Sequence, residues 1–343
     1  MTYNLYHFLT VEISTRRKSY QTFFQNEYGD LSIPERGADG VPRVRLHVVK
    51  ELPRPSTTDI VRRLRVKRLF TLTYLIRDLD TDTVDIFFRE HWFDTWYLKA
   101  ISVFAQTQIL EPVIYAKLLE RGIILLHAAG VSDGTNGFIF TACGGTGKTT
   151  LSLNLARGGL QLLGDDLLLV DYRSQTVYPY PRPLHLFSYN IDALHDARID
   201  LRLRSIIRCK DIIRSILEGI TGEDFLISTR VPIKRVYPHV RLSKPVPYRK
   251  VVLLRSEGAN RIVRLDTQDR IASVAGDIIG SFDLNGSLYT NLLEGNEAYI
   301  RDTRQRERQA VTEMLRGVGE VSYVNTKSID MQRIDACLSS LLT

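Results

Sequence analysis

The chain has 343 residues, of which 44% are hydrophobic and 25% are charged, and its formal net charge at pH 7 is +7. This length suits one large or two modest domains with a substantial core, and the basic balance favours anionic substrates or partners. The sequence has no apolar run of about eighteen residues, no secretory signal, and only three widely spaced cysteines, which argues against a disulfide framework or a zinc site. We therefore expect a cytoplasmic protein without a membrane partner.

Residues 1–112 are predicted to form an α+β accessory region. Strand-like patterns cover four stretches, 6–13, 44–49, 69–76 and 83–88. A mostly helical segment over 95–119 is expected to be interrupted near Pro112. This region either binds a substrate or only completes the fold.

A near-continuous apolar run over 122–131 predicts a buried strand that contains one histidine, His127. A lone histidine in such a run is more often a core residue than a catalytic one. A short turn over 132–137 and a second apolar strand over 138–141 follow. Residues 150–157 then predict a helix.

The turn between that strand and that helix has the composition of a phosphate-binding loop. Its residues are Ala142, Cys143, Gly144, Gly145, Thr146, Gly147, Lys148, Thr149 and Thr150. Glycines let backbone N–H groups approach phosphate oxygens, and the helix N-terminus adds its positive dipole end. Lys148 is placed to reach the outer phosphates of a nucleotide, and Thr149 to ligate Mg²⁺. Because strand, loop and helix occur in this order, a chance glycine-rich turn is the weaker interpretation.

Two adjacent carboxylates, Asp165 and Asp166, follow closely, between apolar stretches over 160–163 and 167–170 that predict strands. One carboxylate can hold Mg²⁺ while the other accepts a proton from an attacking hydroxyl. Since adjacent side chains on a strand point to opposite faces, only a turn or bend lets both reach one site. Taken alone, this pair is also typical of a solvated turn, but the loop just upstream favours a functional role.

The domain that contains the loop is predicted to span residues 113–343. Helical patterns cover 197–220, 267–279, 304–315 and 328–342, and strand patterns cover 250–254 and 321–324. Between Arg198 and Lys250, thirteen basic residues stand against five acidic ones. Few aromatic residues accompany them, so we expect solvated faces and no nucleic-acid partner, with a subset guiding an anionic substrate or ATP.

The order of these pieces, from the His127 strand through the loop to the paired aspartates, resembles the catalytic core of the HPr kinase/phosphorylase superfamily. These proteins are distant relatives of phosphoenolpyruvate carboxykinases. The resemblance covers residues 126–170 and extends weakly to Tyr178-Pro179-Tyr180-Pro181-Arg182. It implies an α/β fold in which an HPr-kinase-like P-loop core with a mixed sheet follows the accessory region.

The resemblance also implies a function. An ATP- and Mg²⁺-dependent kinase would transfer a phosphoryl group to a hydroxyl acceptor, either a serine-type side chain of a peptide or protein or a small molecule. The Arg-Gly-x-Gly signature of the bifunctional enzymes is not visible downstream of the two acids, which argues against phosphorolysis and against HPr protein as the substrate. The chain is more similar to the heterogeneous HPr-kinase-like group, whose members act on other hydroxyls, including peptide serines in lasso-peptide pathways.

The resemblance implies a role for each residue that matches the motif. The loop lysine and threonine would bind the ATP phosphates and Mg²⁺. Asp165 would be the general base and Asp166 the metal-side acid, although an exchange of these two roles is left open. His127 would face the acceptor and orient the neighbouring aspartate, and Arg182 would contact phosphate or acceptor.

Two other functions are left open by the residues themselves. A nucleotide-binding regulatory or accessory protein would need the loop but neither the acid pair nor His127. A carboxykinase-like enzyme acting on an oxo acid would need further metal ligands and carboxylate-binding arginines. Self-association into a homo-oligomer is also left open by the sequence.

Overall fold

The computed structural model is a mixed α/β protein with three sheets of mixed strand orientation. It describes residues 1–29, 40–66, 70–90, 100–143, 145–191, 198–222, 228–281, 293 and 296–328. The chain divides into two compact units, each assembled from separate stretches of sequence. The first combines Met1–Lys117, Pro183–Pro232 and Leu288–Gly295, and the second combines Leu118–Arg182, Ile233–Ser287 and Asn296–Thr343. Within the described ranges, no helix is both long enough and apolar enough to cross a bilayer.

Strands and helices are interspersed along the chain. The strands are β1 (Thr2–Leu5), β2 (Leu9–Thr15), β3 (Arg43–Val49), β4 (Ile60–Val66), β5 (Phe70–Arg77), β6 (Thr83–Arg89), β7 (Ile123–Ser132), β8 (Gly137–Thr141), β9 (Gln161–Gly164), β10 (Leu167–Asp171), β11 (Thr176–Tyr178), β12 (Leu184–Leu186), β13 (Thr229–Val231), β14 (Val246–Arg255), β15 (Arg261–Arg264) and β16 (Glu320–Asn325). The helices are α1 (Lys18–Tyr28), α2 (Ala100–Phe104), α3 (Glu111–Glu120), α4 (Lys148–Arg157), α5 (Ser188–Ile191), α6 (Leu201–Thr221), α7 (Ile233–Val236), α8 (Gln268–Gly280) and α9 (Glu297–Val318). A π-helical turn (Ala105–Leu110) joins α2 to α3, and a 3₁₀ turn (Thr326–Ser328) follows β16.

A six-stranded sheet forms the centre of the first unit. Its strands are hydrogen-bonded in the order β1-β2-β3-β6-β5-β4. The pairs β2–β3 and β3–β6 are parallel and the others are antiparallel. Helix α1 connects the parallel strands β2 and β3, as parallel pairing requires a crossover. Its buried face combines four aromatic residues with one carboxylate: Tyr20, Phe23, Phe24, Tyr28 and Glu27.

The predicted single strand over 6–13 is wrong, because the chain turns within it. Tyr6 adopts a left-handed conformation with a φ of 55°, and the Phe8 N–H donates to the Leu5 carbonyl at 3.1 Å. Strands β1 and β2 therefore form an antiparallel pair. The turn lacks the glycine, proline or asparagine that usually marks one, which is why the sequence pattern conceals it.

The predicted helix over 95–119 is confirmed from residue 100 onward, and residues 95–99 lie outside the described ranges. The expected interruption near Pro112 is a change of helical winding rather than a break. The Glu111 N–H donates to the Gln106 carbonyl, five residues back, as in a π-helix. Pro112 follows at the start of α3, where its missing N–H is tolerated.

A buried ion pair holds the segment Pro183–Pro232 within the first unit. The Arg230 guanidinium on β13 lies 2.6 Å from the Glu27 carboxylate of α1 and donates to Gln106 Oε1 at 2.6 Å. The Gln106 amide in turn donates to Glu27 at 3.1 Å. These contacts join three stretches that are far apart in sequence, and the two-stranded β12–β13 sheet belongs to the same unit.

An eight-stranded sheet forms the centre of the second unit. Its order is β11-β10-β7-β8-β14-β16-β15, and β9 also pairs with β7. Strands β8, β14 and β16 are parallel to one another, whereas β7 is antiparallel to β8, β9 and β10. Strands β7 and β8 are almost continuously buried, which explains their unbroken apolar sequences.

The predicted elements of the second unit agree with the observed ones, apart from their ends. The helix predicted over 304–315 is longer in the structure, since the Asn296 side chain accepts from the Tyr299 N–H at its start and Gly319, with a φ of 76°, ends it. Charged residues through the first turns of α9 conceal that start. The helix predicted over 328–342 lies outside the described residues except for its first position.

Candidate functional site

The candidate phosphate-binding loop connects β8 to α4. Gly145 and Gly147 have φ values of 77° and 93°, in the left-handed region that favours glycine. The Thr146 hydroxyl donates to the Cys143 carbonyl at 2.8 Å, which closes the turn. Ala142 at the start of the loop is buried and the Cys143 thiol is exposed and free, whereas Gly144 lies outside the described residues. Gly147 directly precedes the helix, so the loop ends on a helix N-terminus.

Helix α4 begins at Lys148, two residues earlier than predicted. The Lys148 ammonium is buried and donates to the Ala142 carbonyl at 2.6 Å and the Cys143 carbonyl at 3.4 Å. Burial lowers the pKa of Lys148, although nearby Asp166 and Asp165 act in the opposite direction. The cation is therefore held inside the loop, facing the same space as the two carboxylates.

The two aspartates lie between β9 and β10, which pair consecutively along β7. Gly164 is opposite Gly130 and Leu167 is opposite His127. The Ala128 N–H donates to the Asp166 carbonyl at 3.1 Å, so the backbone stays attached to β7 through the gap between the strands. Residues 165 and 166 form a bend, as the sequence argument required for both side chains to approach one site.

Two glycines allow this close packing of strands. A Cβ on Gly164 would lie 2.7 Å from the Leu167 carbonyl oxygen and 2.9 Å from Leu168 Cδ2. A Cβ on Gly130 would lie 2.8 Å from Leu168 Cδ1. The sequence argument did not single out Gly130, although a glycine inside a buried strand often marks a close backbone approach.

Asp165 is buried, and its Oδ1 atom has no hydrogen-bond partner among the described residues. The Thr149 side chain of the loop helix is close enough to influence the pKa of this carboxyl. Burial raises the pKa of Asp165 from 3.8 to about 7, and the charge of Asp166 adds to that rise. The Thr149 side chain and the Lys148 charge act in the opposite direction and lower this pKa. An unsatisfied buried acceptor of this kind is the observation that best indicates a missing cation or donor.

Asp166 is more exposed and faces a different set of groups. Its Oδ1 atom lies 3.4 Å from His127 Nε2, and its Oδ2 atom lies 3.9 Å from the Arg182 guanidinium. Arg182 is buried, and the segment before it is held by a hydrogen bond from the Tyr180 N–H to the Leu163 carbonyl at 2.9 Å. The Thr141 hydroxyl donates to the His127 carbonyl at 3.3 Å, a contact that the sequence did not indicate.

The structure therefore brings six of the predicted site residues together in the second unit. Lys148 and Thr149 contribute from the loop, Asp165 and Asp166 from the bend, and His127 and Arg182 from its two flanks. Thr150 follows in the first turn of α4, where it is partly exposed.

Mg²⁺ fits this donor set only together with phosphate oxygens. The described part of the chain contains no group of three or more histidine, cysteine, aspartate or glutamate side chains that could hold a metal ion. Mg²⁺ commonly binds through one or two carboxylates plus substrate phosphates, so Thr149, one aspartate and a nucleotide would suffice. The buried, unsatisfied Asp165 oxygen is compatible with such a cation.

Comparison with known proteins adds no assignment. The sequence matches no family model, and no curated protein is significantly similar to it. The fold and site define a mixed α/β protein with a glycine-rich strand–loop–helix element beside a paired-carboxylate bend.

Proposed function

We propose that this protein is an ATP- and Mg²⁺-dependent cytoplasmic kinase that transfers a phosphoryl group to a hydroxyl acceptor, either a serine-type side chain of a peptide or protein or a small molecule. One observation carries this proposal. A buried carboxylate beside the phosphate-binding loop adjoins a second carboxylate that faces a histidine and an arginine. A solvated turn would not bury Asp165 or place Arg182, itself buried, beside its neighbour.

The finer fold assignment is also a proposal. An HPr-kinase-like P-loop core is supported by the order of elements, in which the acid pair follows the loop helix directly and both flank one strand. The loop leaves β8 and the acids leave β9, and β7 is hydrogen-bonded to both. Antiparallel pairing of β7 with its neighbours gives the mixed sheet that this proposal requires.

Nucleotide phosphates would be held by the loop and the start of α4. Phosphate oxygens would replace the loop carbonyls as the hydrogen-bond acceptors of Lys148. The backbone at Gly145 and Gly147 would turn its N–H groups toward the same phosphate oxygens. Thr149 and one aspartate would hold Mg²⁺. When bound, Mg²⁺ would neutralise phosphate charge and align the transferring group.

The contacts favour one division of roles between the aspartates, and it reverses the one that the resemblance implied. Asp165 is buried close to Thr149, the residue expected at the metal, and burial raises its pKa. Asp166 is partly exposed and lies beside His127 and Arg182, where an acceptor can approach. We therefore assign Asp165 to the metal side and Asp166 to proton transfer.

The proposed transfer step is in-line. Asp166 accepts the proton of the acceptor hydroxyl as that oxygen forms a bond to the γ-phosphorus of ATP. The bond from this phosphorus to its bridging oxygen breaks, and ADP leaves with the electron pair. Lys148 offsets the negative charge that develops on the phosphoryl oxygens, and His127 holds the Asp166 carboxylate in place.

Three substitutions test the proposal. Lys148→Ala is expected to weaken MgATP binding and abolish transfer. Asp166→Asn is expected to keep MgATP binding while lowering transfer by about 10²–10⁴-fold, the range for a lost general base. Asp165→Asn is expected to raise the Mg²⁺ concentration needed for half-maximal binding. Asp269→Asn, which removes an exposed carboxylate on α8, serves as the control and should change none of these quantities.

The assays do not depend on a known acceptor. Calorimetry measures MgATP binding, and release of inorganic phosphate measures slow transfer to water. Labelled ATP measures transfer to serine-containing peptides and to small molecules from an extract. If the wild type binds MgATP and Lys148→Ala does not, but no assay detects a phosphorylated product, the result would favour the regulatory alternative and overturn the kinase proposal. A normal Mg²⁺ requirement in Asp165→Asn, with a raised one in Asp166→Asn, would restore the opposite division of roles.

A further inference from the structure

Helix α6 is firmly attached to the first unit along one side. Asp200 caps its start by accepting from the Leu203 N–H at 2.7 Å, and Leu203 and Ile207 are buried. Asp211 accepts from the Ser188 N–H at 2.6 Å and lies 3.3 Å from Arg214. The acidic residues of this helix are thus engaged in contacts on its attached side.

The opposite side of α6 combines apolar and basic residues. Five large apolar side chains are exposed, with relative accessibilities of 84% for Leu201, 41% for Ile206, 60% for Ile212, 55% for Ile216 and 73% for Ile220. Arg202, Arg204 and Arg208 are also exposed, and none of them forms an ion pair with a carboxylate in the described part of the chain. Arg204 and Arg208 precede Ile212 and Ile216 at four-residue spacing, so this row of the helix is both hydrophobic and positively charged.

A groove runs beside this face. Its volume is about 590 Å³, and its lining includes Ile212 and Ile216 together with Arg208. Asp211 and Ser188 also line it, but they are bonded to each other through the backbone N–H of Ser188. This groove is shallow and open, and its apolar lining with a cation at its edge suits the apolar face of a docked peptide segment.

We propose that the exposed face of α6 and its groove form a docking surface for an acidic, amphipathic peptide segment of a partner protein. Charge complementarity selects this occupant. Apolar side chains of the segment would contact Ile212 and Ile216, while its carboxylates would pair with Arg204 and Arg208. A second copy of this chain fits less well, because a two-fold contact through this face would bring the arginines of one copy close to those of the other. The proposal does not depend on the kinase assignment, since docking is measured without nucleotide.

Fluorescence anisotropy of the full-length protein tests this docking surface. The probe is a labelled amphipathic peptide of about 18 residues, five helical turns, with glutamates on one face and leucines on the other. A second peptide replaces the glutamates by lysines, and a third replaces the leucines by serines. Binding of the first peptide, with much weaker binding of the other two and weakening between about 0.05 M and 0.5 M salt, is expected.

Two double variants and a matched control locate the binding. Arg204→Glu with Arg208→Glu, and Ile212→Ser with Ile216→Ser, should each weaken binding about tenfold or more. Arg301→Glu with Arg308→Glu makes the same charge change on the exposed side of α9 and should leave binding unchanged. Circular dichroism confirms that each variant is folded.

Several results would overturn the proposal. These are failure of the wild type to bind the glutamate peptide, equal binding of the lysine peptide, and equal binding by the α6 charge variant. Preferential binding of phosphatidylserine vesicles or of RNA over the peptide would identify a different class of partner. Dimerisation that the α6 variants abolish, without peptide binding, would identify a second copy as the occupant.

Discussion

Replacing Asp165 by asparagine should change how the stability of the protein depends on pH. In the folded protein, burial keeps this carboxyl protonated up to a pKa of about 7, whereas its ordinary value is 3.8. At a pH between these two pKa values, the Asp165 carboxyl is ionised in the unfolded chain but still protonated in the folded chain. The free energy of unfolding contributed by this group therefore falls as pH rises from about 4 to about 7 and stays low above that.

The size of the effect follows from the two pKa values. Each pH unit of difference corresponds to about 1.4 kcal/mol, so the span from 3.8 to about 7 gives on the order of 4 kcal/mol. Asparagine is neutral at every pH and has nearly the same shape, so Asp165→Asn should remove this dependence. At pH 8 the variant should be more stable than the wild type by roughly that amount, and about equally stable at pH 4.

Thermal unfolding in buffers from pH 4 to pH 8, without nucleotide or Mg²⁺, measures this difference. Each kcal/mol corresponds to roughly 2–4 °C in the unfolding temperature for a domain of about 150–250 residues. Asp269→Asn is the matched control, because it makes the same chemical change at an exposed position on α8. Parallel pH profiles for the wild type and Asp165→Asn would refute the conclusion that burial keeps this carboxyl protonated.

Two further predictions concern packing. Gly164→Ala should lower the free energy of unfolding by about 1–3 kcal/mol, because its Cβ would lie 2.7 Å from the Leu167 carbonyl oxygen. Gly219→Ala on exposed α6, where a Cβ meets no atom, should instead raise the free energy of unfolding by about 0.5–1 kcal/mol. Chemical denaturation compares the two variants, and equal effects would contradict the strand-packing argument. Arg230→Met should destabilise the protein by about 3–5 kcal/mol because it leaves Glu27 buried without its cation. A second substitution, Glu27→Met, should restore much of the lost stability in the same measurement, and no restoration would show that the pair is not coupled.

The secondary structure around the candidate loop was the most predictable part of the molecule. Strand, loop and helix around Lys148 follow from local sequence, because glycine spacing and apolar runs act over a few residues. The contacts of the aspartates follow less directly. The contact between Asp166 and His127 depends on the pairing of β9 and β10 with β7, which joins residues nearly forty positions apart in sequence.

The first unit was harder to predict, for two physical reasons. Helix α1 carries its buried residues at helical spacing, but they are aromatic, with modest helix propensity, and polar residues separate them. The assignment of Pro183–Pro232 to this unit depends on Arg230 meeting Glu27 across a long stretch of sequence. No local pattern encodes such a pair.

The position of β7 in the second unit sets the distance between the glycine-rich loop and the two aspartates. The loop strand β8 lies on one side of it and the acid-bearing β9 and β10 lie on the other. Two neighbouring interstrand spacings of about 4.8 Å therefore separate the backbone of β8 from the backbones of β9 and β10. Main-chain hydrogen bonds hold this distance at roughly 10 Å. This distance does not depend on side-chain identity, so the surrounding loops can change in sequence while the separation between the glycine-rich loop and the two carboxylates stays the same.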